Sequence, residues 1–213
     1  MPNIKERPIL FCAEMVRALL AGTKTQERRI IKPQPDVTEE RLREMDAWID
    51  GFTLSQQVDG AWQHGFIDAK CPYGDPGDRL WVREARRRIG AECGCSESPC
   101  CCPKHGDIAY RATQDDADSK WKPSIHMPRA ASRITLVITD VRVEQLQDIS
   151  EADALAEGIH KQQMTGWFSV PGLNGAGTTA RAAYALLWNA INGPGSWDAN
   201  PWVWCISFQR VEE

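Results

Sequence analysis

Several things are missing from this 213-residue chain. No apolar run approaches the roughly 18 residues a membrane-crossing helix needs, and Met1–Arg7 carries no hydrophobic leader core, so a soluble, cytoplasmic protein without a membrane partner is expected. There is no internal repeat. A basic surplus is also absent: 25 Lys and Arg stand against 29 Asp and Glu, a net charge of −4, which excludes a general polycation that coats nucleic acid. Any contact with a polyanion must therefore come from a local patch. His is scarce (four) and Tyr scarcer (three), and no His or carboxylate cluster suggests a catalytic metal.

Trp and Cys are plentiful by contrast. Nine Trp outnumber five Phe and three Tyr, and an indole offers both a stacking face and one N–H donor. Core anchoring is one use and base stacking the other; Trp81, Trp121, Trp202 and Trp204 are the candidates for stacking. Of eight Cys, Cys12, Cys71 and Cys205 sit singly in apolar or turn contexts, and five fall within Cys93–Cys102. The chain is too long to depend on disulfide staples, so reduced thiols are the default. Cys93, Cys95, Cys100 and Cys102 with His105 offer soft donors of the kind that hold structural zinc, and the alternative is an oxidation-prone loop without metal. No cofactor is required for catalysis.

Hydrophobic patterning predicts an α+β chain of about six short strands and three or four helices, organised as one domain over residues 1–213. Strands are expected at Pro8–Cys12, Thr25–Lys32, Arg79–Glu84, Asp107–Arg111, Arg133–Val143 and Pro201–Val211. Helices are expected at Ala13–Ala21, Val37–Trp48, from Ser150 to Gly158, and over Thr178–Asn192. Asp59-Gly60 reads as a hairpin turn between short strands, and Pro123–Pro128 as an extended segment. Residues 90–106, small, polar and Cys-rich, read as an insertion.

Chemistry concentrates in Gly22-Thr-Lys24-Thr-Gln-Glu27-Arg-Arg29, at a junction of helix and strand. Buried Lys24 is expected to lose proton affinity by desolvation and so to serve as a base near neutral pH, with Glu27 and Arg29 positioning a polar substrate. Glu84 closes a hydrophobic strand among Arg79, Arg83 and Arg86-Arg-Arg88, a run that concentrates positive charge. Ser124, His126 and Arg129 lie on an irregular Pro-bounded segment and are further candidates to bind substrate, with Arg29 and Arg83.

The pattern Gly22-x-Lys24-x-x-Glu27-x-Arg29 resembles the signature of the ASCH domain, a branch of the PUA-like superfamily. Arg7–Phe11, Pro76–Glu84, Pro123–Arg129 and Asn192–Trp204 extend the resemblance, and look like the phage and prophage members. The resemblance implies a PUA-like small mixed β-barrel with flanking helices and a cleft, binding RNA or a nucleoside; characterised relatives include an N4-acetylcytidine amidohydrolase and a ribonuclease. In the amidohydrolase branch the catalytic set is a Lys, a hydroxyl residue three positions later and a distant Glu. Lys24 matches the Lys, Glu27 stands in place of the hydroxyl residue, and Glu84 matches the distant Glu by pattern. Two functional classes follow: a hydrolase of a modified nucleoside or RNA that uses Lys24 as base, or a non-catalytic reader or interaction module that binds nucleoside or single-stranded RNA in the same cleft.

Overall fold

The strand with the clearest alternation, β6 (Thr135–Gln145), shows how the chain is built. Leu136 and Ile138 are buried, and so are Val141 and Val143, so the buried phase shifts by one residue at 139–140. A bulge absorbs the shift: opposite Ser207 and Phe208 of β10 (Trp202–Arg210) the register jumps from Asp140 to Ile138. One extra residue kinks the strand and keeps both halves facing the core.

In this computed structural model, residues 4–67, 69–90, 102, 104–114, 120–170, 172–173 and 175–211 are described. The architecture is mixed α+β. Strands β1 (Glu6–Leu10), β2 (Gln26–Ile30) and β3 (Arg79–Arg83) join β6 and β10 in a five-stranded mixed sheet of order β1-β3-β6-β10-β2. The β1–β3 pair is parallel and the rest antiparallel. Its two edges, β1 and β2, are not paired through the backbone, but Arg29 on β2 donates from Nη2 to the carbonyl of Leu10 on β1 at 2.8 Å. The sheet is thus curled until one side chain spans the gap.

β10 alternates between two cores. Trp202, Trp204, Ile206 and Phe208 join the larger cluster with Ile9, Phe11, Val16, Leu80 and Val82, while Val203 points into a second cluster with Leu146, Ile149, Tyr184 and Trp188. That second layer is α4 (Glu151–Ala156) and α5 (Ala180–Asn192), with a small sheet of β7 (His160–Lys161), β8 (Phe168–Ser169) and β9 (Ala176–Gly177). Helix α1 (Ala13–Leu20) buries Val16, Ala18 and Leu19 beside the first core. Gly177 allows β9 to touch α5, since a Cβ there would stand 2.5 Å from the Ala183 backbone nitrogen.

The segment 54–63 departs from expectation. Asp59-Gly60 is no hairpin turn but lies inside α3 (Leu54–Gln63), with α2 (Glu39–Glu44) before it. Thr53 caps α3 through a reciprocal box with Gln56, Leu54, Val58 and Trp62 recur every four residues toward the core, and Asp59 accepts from the Val143 amide at 2.7 Å. The Pro123–Pro128 segment is not wholly extended, for Ser124–His126 makes one 3-10 turn. Short strands β4 (Arg86–Arg88) and β5 (Ile108–Tyr110) pair on either side of the Cys-rich stretch. Cys93, Cys95 and Cys100 lie outside the described residues; Cys102 is half-buried and His105 exposed. No described group of three or more His, Cys, Asp or Glu side chains is arranged to hold a metal ion, and no described helix is long and apolar enough to cross a membrane.

Candidate functional site

Helix α1 ends at Leu20, Gly22 follows in the left-handed region at φ +73°, and the chain turns back so that Thr25 donates to the Ala156 carbonyl at the end of α4. That backbone crossing sets Lys24 against Glu157. Gly158, at φ +99°, makes the approach possible: a Cβ there would stand 3.3 Å from the Cβ of Ala18 and 3.6 Å from that of Lys24.

Lys24 is 2% exposed. Its Nζ donates to Glu157 Oε2 at 2.7 Å and to the Glu157 carbonyl at 3.1 Å, and stands 2.8 Å from Glu27 Oε2. Burial alone pulls the lysine toward neutrality, but the two carboxylates outweigh it and hold the ammonium above its ordinary range. The expected neutral amine is therefore replaced by a fixed positive charge. In Glu157 burial dominates, raising the carboxyl despite Lys24 and Arg28.

Arg28, also buried, lies on the other face of β2. Its Nε and Nη2 donate to Glu144 Oε1 at 2.8 and 2.5 Å, and Nη1 donates to Glu157 Oε1 at 3.1 Å and Gln26 Oε1 at 2.8 Å. Arg142 completes the network through Glu144 and Asp153. Four cations (Lys24, Arg28, Arg29, Arg142) meet four carboxylates (Glu27, Glu144, Asp153, Glu157) within 3.1 Å, so these eight groups are neutral together when every member is ionised, with the exposed Asp140 standing off at 3.8 Å from Arg142. Arg29 is half-exposed; its Nε lies 2.8 Å from Glu27 Oε1, and its guanidinium sits over Tyr73 and Phe11 at 5.9 and 6.0 Å. Glu27 raises its proton affinity further.

These groups form the wall of a cleft of about 930 Å³. Glu27, Arg28, Arg29 and Glu157 supply the charged end, while Tyr73, Tyr184, Trp188 and Trp204 supply aromatic surface. Lys24 stands behind Glu27 and Glu157 and does not itself line it. Three polar atoms of the lining are buried without a well-angled hydrogen bond: Glu27 Oε2 and Arg29 Nε, each 2.8 Å from an ion-pair partner, and Trp188 Nε1, a donor with neither.

The sequence candidates divide into two groups. Lys24, Glu27 and Arg29 come together as expected from their spacing, and are joined by Glu157, Arg28 and Glu144, which sequence reasoning missed. Glu157 carried a signal in principle: a carboxylate at the C-terminal end of a helix opposes the macrodipole and calls for a cationic partner. Arg83, Glu84, Ser124, His126 and Arg129 gather elsewhere. Glu84 is 1% exposed and both its oxygens accept from Arg133, at 2.9 and 3.1 Å, so it is not a partner of Lys24. Arg83 donates to the carbonyls of Met127 and Ile125, Arg129 pairs with Glu6, Ser124 accepts from the Met127 amide through its carbonyl, and His126 is exposed. Comparison of the chain with protein-family models, curated proteins and solved structures gives no match.

Proposed function

We propose that the chain is an ASCH-type, PUA-like protein whose cleft takes up a nucleoside, free or at an unstacked position of single-stranded RNA, and hydrolyses a polar substituent of its base. The observation that carries this reading is a cleft that joins aromatic surface to a charged end, with Trp188 Nε1 a donor without a partner and Arg29 a half-exposed cation held by Glu27. A nucleobase edge offers acceptors that match such donors, and its face suits the half-buried ring of Tyr73. The curled sheet, with its edges bridged by Arg29, supports the barrel side of the reading.

The chemistry follows from the charges. Lys24, held as an ammonium, is not the base; it fixes Glu27 and Glu157 and offsets negative charge that develops when water adds to a carbonyl or ring carbon. Glu157 is the cluster's carboxyl with raised proton affinity, and accepts the proton of the attacking water before returning it to the leaving amine. Arg29, over Tyr73, holds the polar group of the substrate. No metal or cofactor takes part in these steps.

The test is calorimetric titration of a panel of plain and N4-modified cytidines and uridines, followed by chromatography of the products. Binding that Glu27→Gln weakens at least tenfold, with turnover abolished in Glu157→Gln, is expected. A panel in which no member binds at millimolar concentration would overturn the reading. Binding without turnover of any member would leave the reader class and remove the hydrolase.

A further inference from the structure

The second group of sequence candidates has its own geometry. One turn, Ser124–Met127, holds two guanidiniums by its backbone carbonyls alone: Arg83 donates from Nε to Met127 at 3.1 Å and from Nη2 to Ile125, and Arg86 donates from Nη2 to His126 at 3.4 Å. A carbonyl orients a guanidinium without neutralising it, so both positive charges stay available to an anion. Arg86 Nε has no hydrogen-bond partner in addition. Lys122 joins them: its amide and carbonyl exchange bonds with those of Arg86 at 2.8 and 3.2 Å, which seats the two cationic residues on neighbouring extended segments. Arg88, two residues along β4, is exposed, and so is Lys122.

Two described carboxylates beside the turn are already committed. Glu84 is spent on Arg133, and Glu6 on Arg129 with Arg79 close by at 3.9 Å. Around the turn, planar cations alternate with aromatic rings: Arg83 over Trp81 and Arg87 over Trp121, each at 5.4 Å, and Arg133 over Tyr110 at 4.1 Å. Oriented guanidiniums suit phosphates, and guanidinium–indole plates offer flat surfaces on which bases stack whatever their sequence. An acidic peptide would use the charges and leave the plates idle.

We infer that Arg83, Arg86, Arg88 and Lys122 form a second site that grips the phosphodiester backbone of single-stranded RNA, apart from the Lys24 cleft. In substrate terms it makes a polymer, rather than a free nucleoside, the preferred ligand, and in that respect it rests on the nucleoside reading of the cleft.

The experiment is fluorescence anisotropy with a labelled oligouridylate of about ten nucleotides, titrated between roughly 50 and 200 mM salt. Each phosphate contact contributes about 0.7 to the slope of log affinity against log salt for a single strand, so Arg83→Gln/Arg86→Gln should lower the slope by about 1.4 and the affinity at least tenfold. Arg88→Glu/Lys122→Glu, which changes two exposed side chains and keeps the backbone bonds of both residues, should do the same without altering the melting temperature. Arg83→Lys/Arg86→Lys, which keeps the charges, should retain the slope. Uridine binding in the cleft should be unchanged in all three. An oligouridylate affinity and slope that none of the charge-removing variants alters would overturn the site, as would poly-glutamate of equal charge binding as tightly as the RNA. Failure of the cleft reading looks different: free nucleosides do not bind, while the salt slope still depends on Arg83 and Arg86.

Discussion

Replacing Lys24 by Met removes one positive charge from a neutral cluster in which its side chain has no solvent exposure. Glu27 keeps Arg29 and Glu157 keeps Arg28, yet the cluster is left with three cations facing four buried or half-buried carboxylates. Breaking a fully buried pair from one side costs about 3–5 kcal/mol, because the surviving charge cannot recover its water. For a chain of this size each kcal/mol moves the melting temperature by about 2–4 °C, so a fall of roughly 6–20 °C is expected. Lys24→Met/Glu157→Gln removes one charge of each sign and should recover a large part of it. The pH dependence has a definite sign. Since the folded-state proton affinity of Lys24 is raised above the ordinary 10.5, its stabilisation is complete below that value and is lost as the pH climbs through the higher folded value. Thermal melts of the parent and both variants from pH 7 to pH 11 are the assay. A Lys24→Met protein that melts within about 1 °C of the parent at pH 7, or a double variant less stable than the single one, would refute the reasoning.

Three other outcomes are expected. Arg133→Ala strands the buried Glu84 carboxylate and should cost about 3 kcal/mol in a denaturant titration, with Glu84→Gln costing less than half as much and nucleoside binding unaltered in both, as a structural role for Glu84 requires. Gly158→Ala forces a Cβ into a left-handed residue against Ala18, and should cost about 1–3 kcal/mol by the same titration. Arg29→Lys loses the planar contact with Tyr73 and the reach to the Leu10 carbonyl; nucleoside affinity should fall about tenfold by calorimetry, with little change in melting temperature.

Patterning in the sequence located what depends on local rules. Arg133–Val143 and Pro201–Val211 read correctly as strands because an apolar alternation is local, and the helix after Ser150 began where its hydroxyl accepts from the Asp153 amide. Residues 54–63 misled because Asp-Gly is a strong turn signal, whereas the Thr53–Gln56 box and the four-residue spacing of Leu54, Val58 and Trp62 only gain weight once β6 is there to pack on. Lys24, Glu27 and Arg29 were legible as a motif, but their partners were not. Glu144 and Glu157 lie more than 100 positions away, and nothing in the spacing of one segment specifies which distant carboxylate meets it.

The same comparison explains why the acid–base assignment of Lys24 reversed. Sequence reasoning treated burial as the whole environment of the ammonium, and burial alone does favour the neutral amine. The structure adds two carboxylates within 2.8 Å, and at that separation in a dry interior the attraction outweighs desolvation. Strand β2 shows the physical origin of the error. Gln26, Glu27 and Arg28 are all buried in succession, so polar residues enter both layers: Arg28 turns to Tyr184 and Glu144, Glu27 and Arg29 to the side of Phe11 and Tyr73. A strand that buries charge on both faces can only fold if the opposing charges arrive from elsewhere in the chain. Its lack of hydrophobic periodicity was therefore itself a sign of distant partners, and points to the place where the fold accepts the cost of buried charge to form a site.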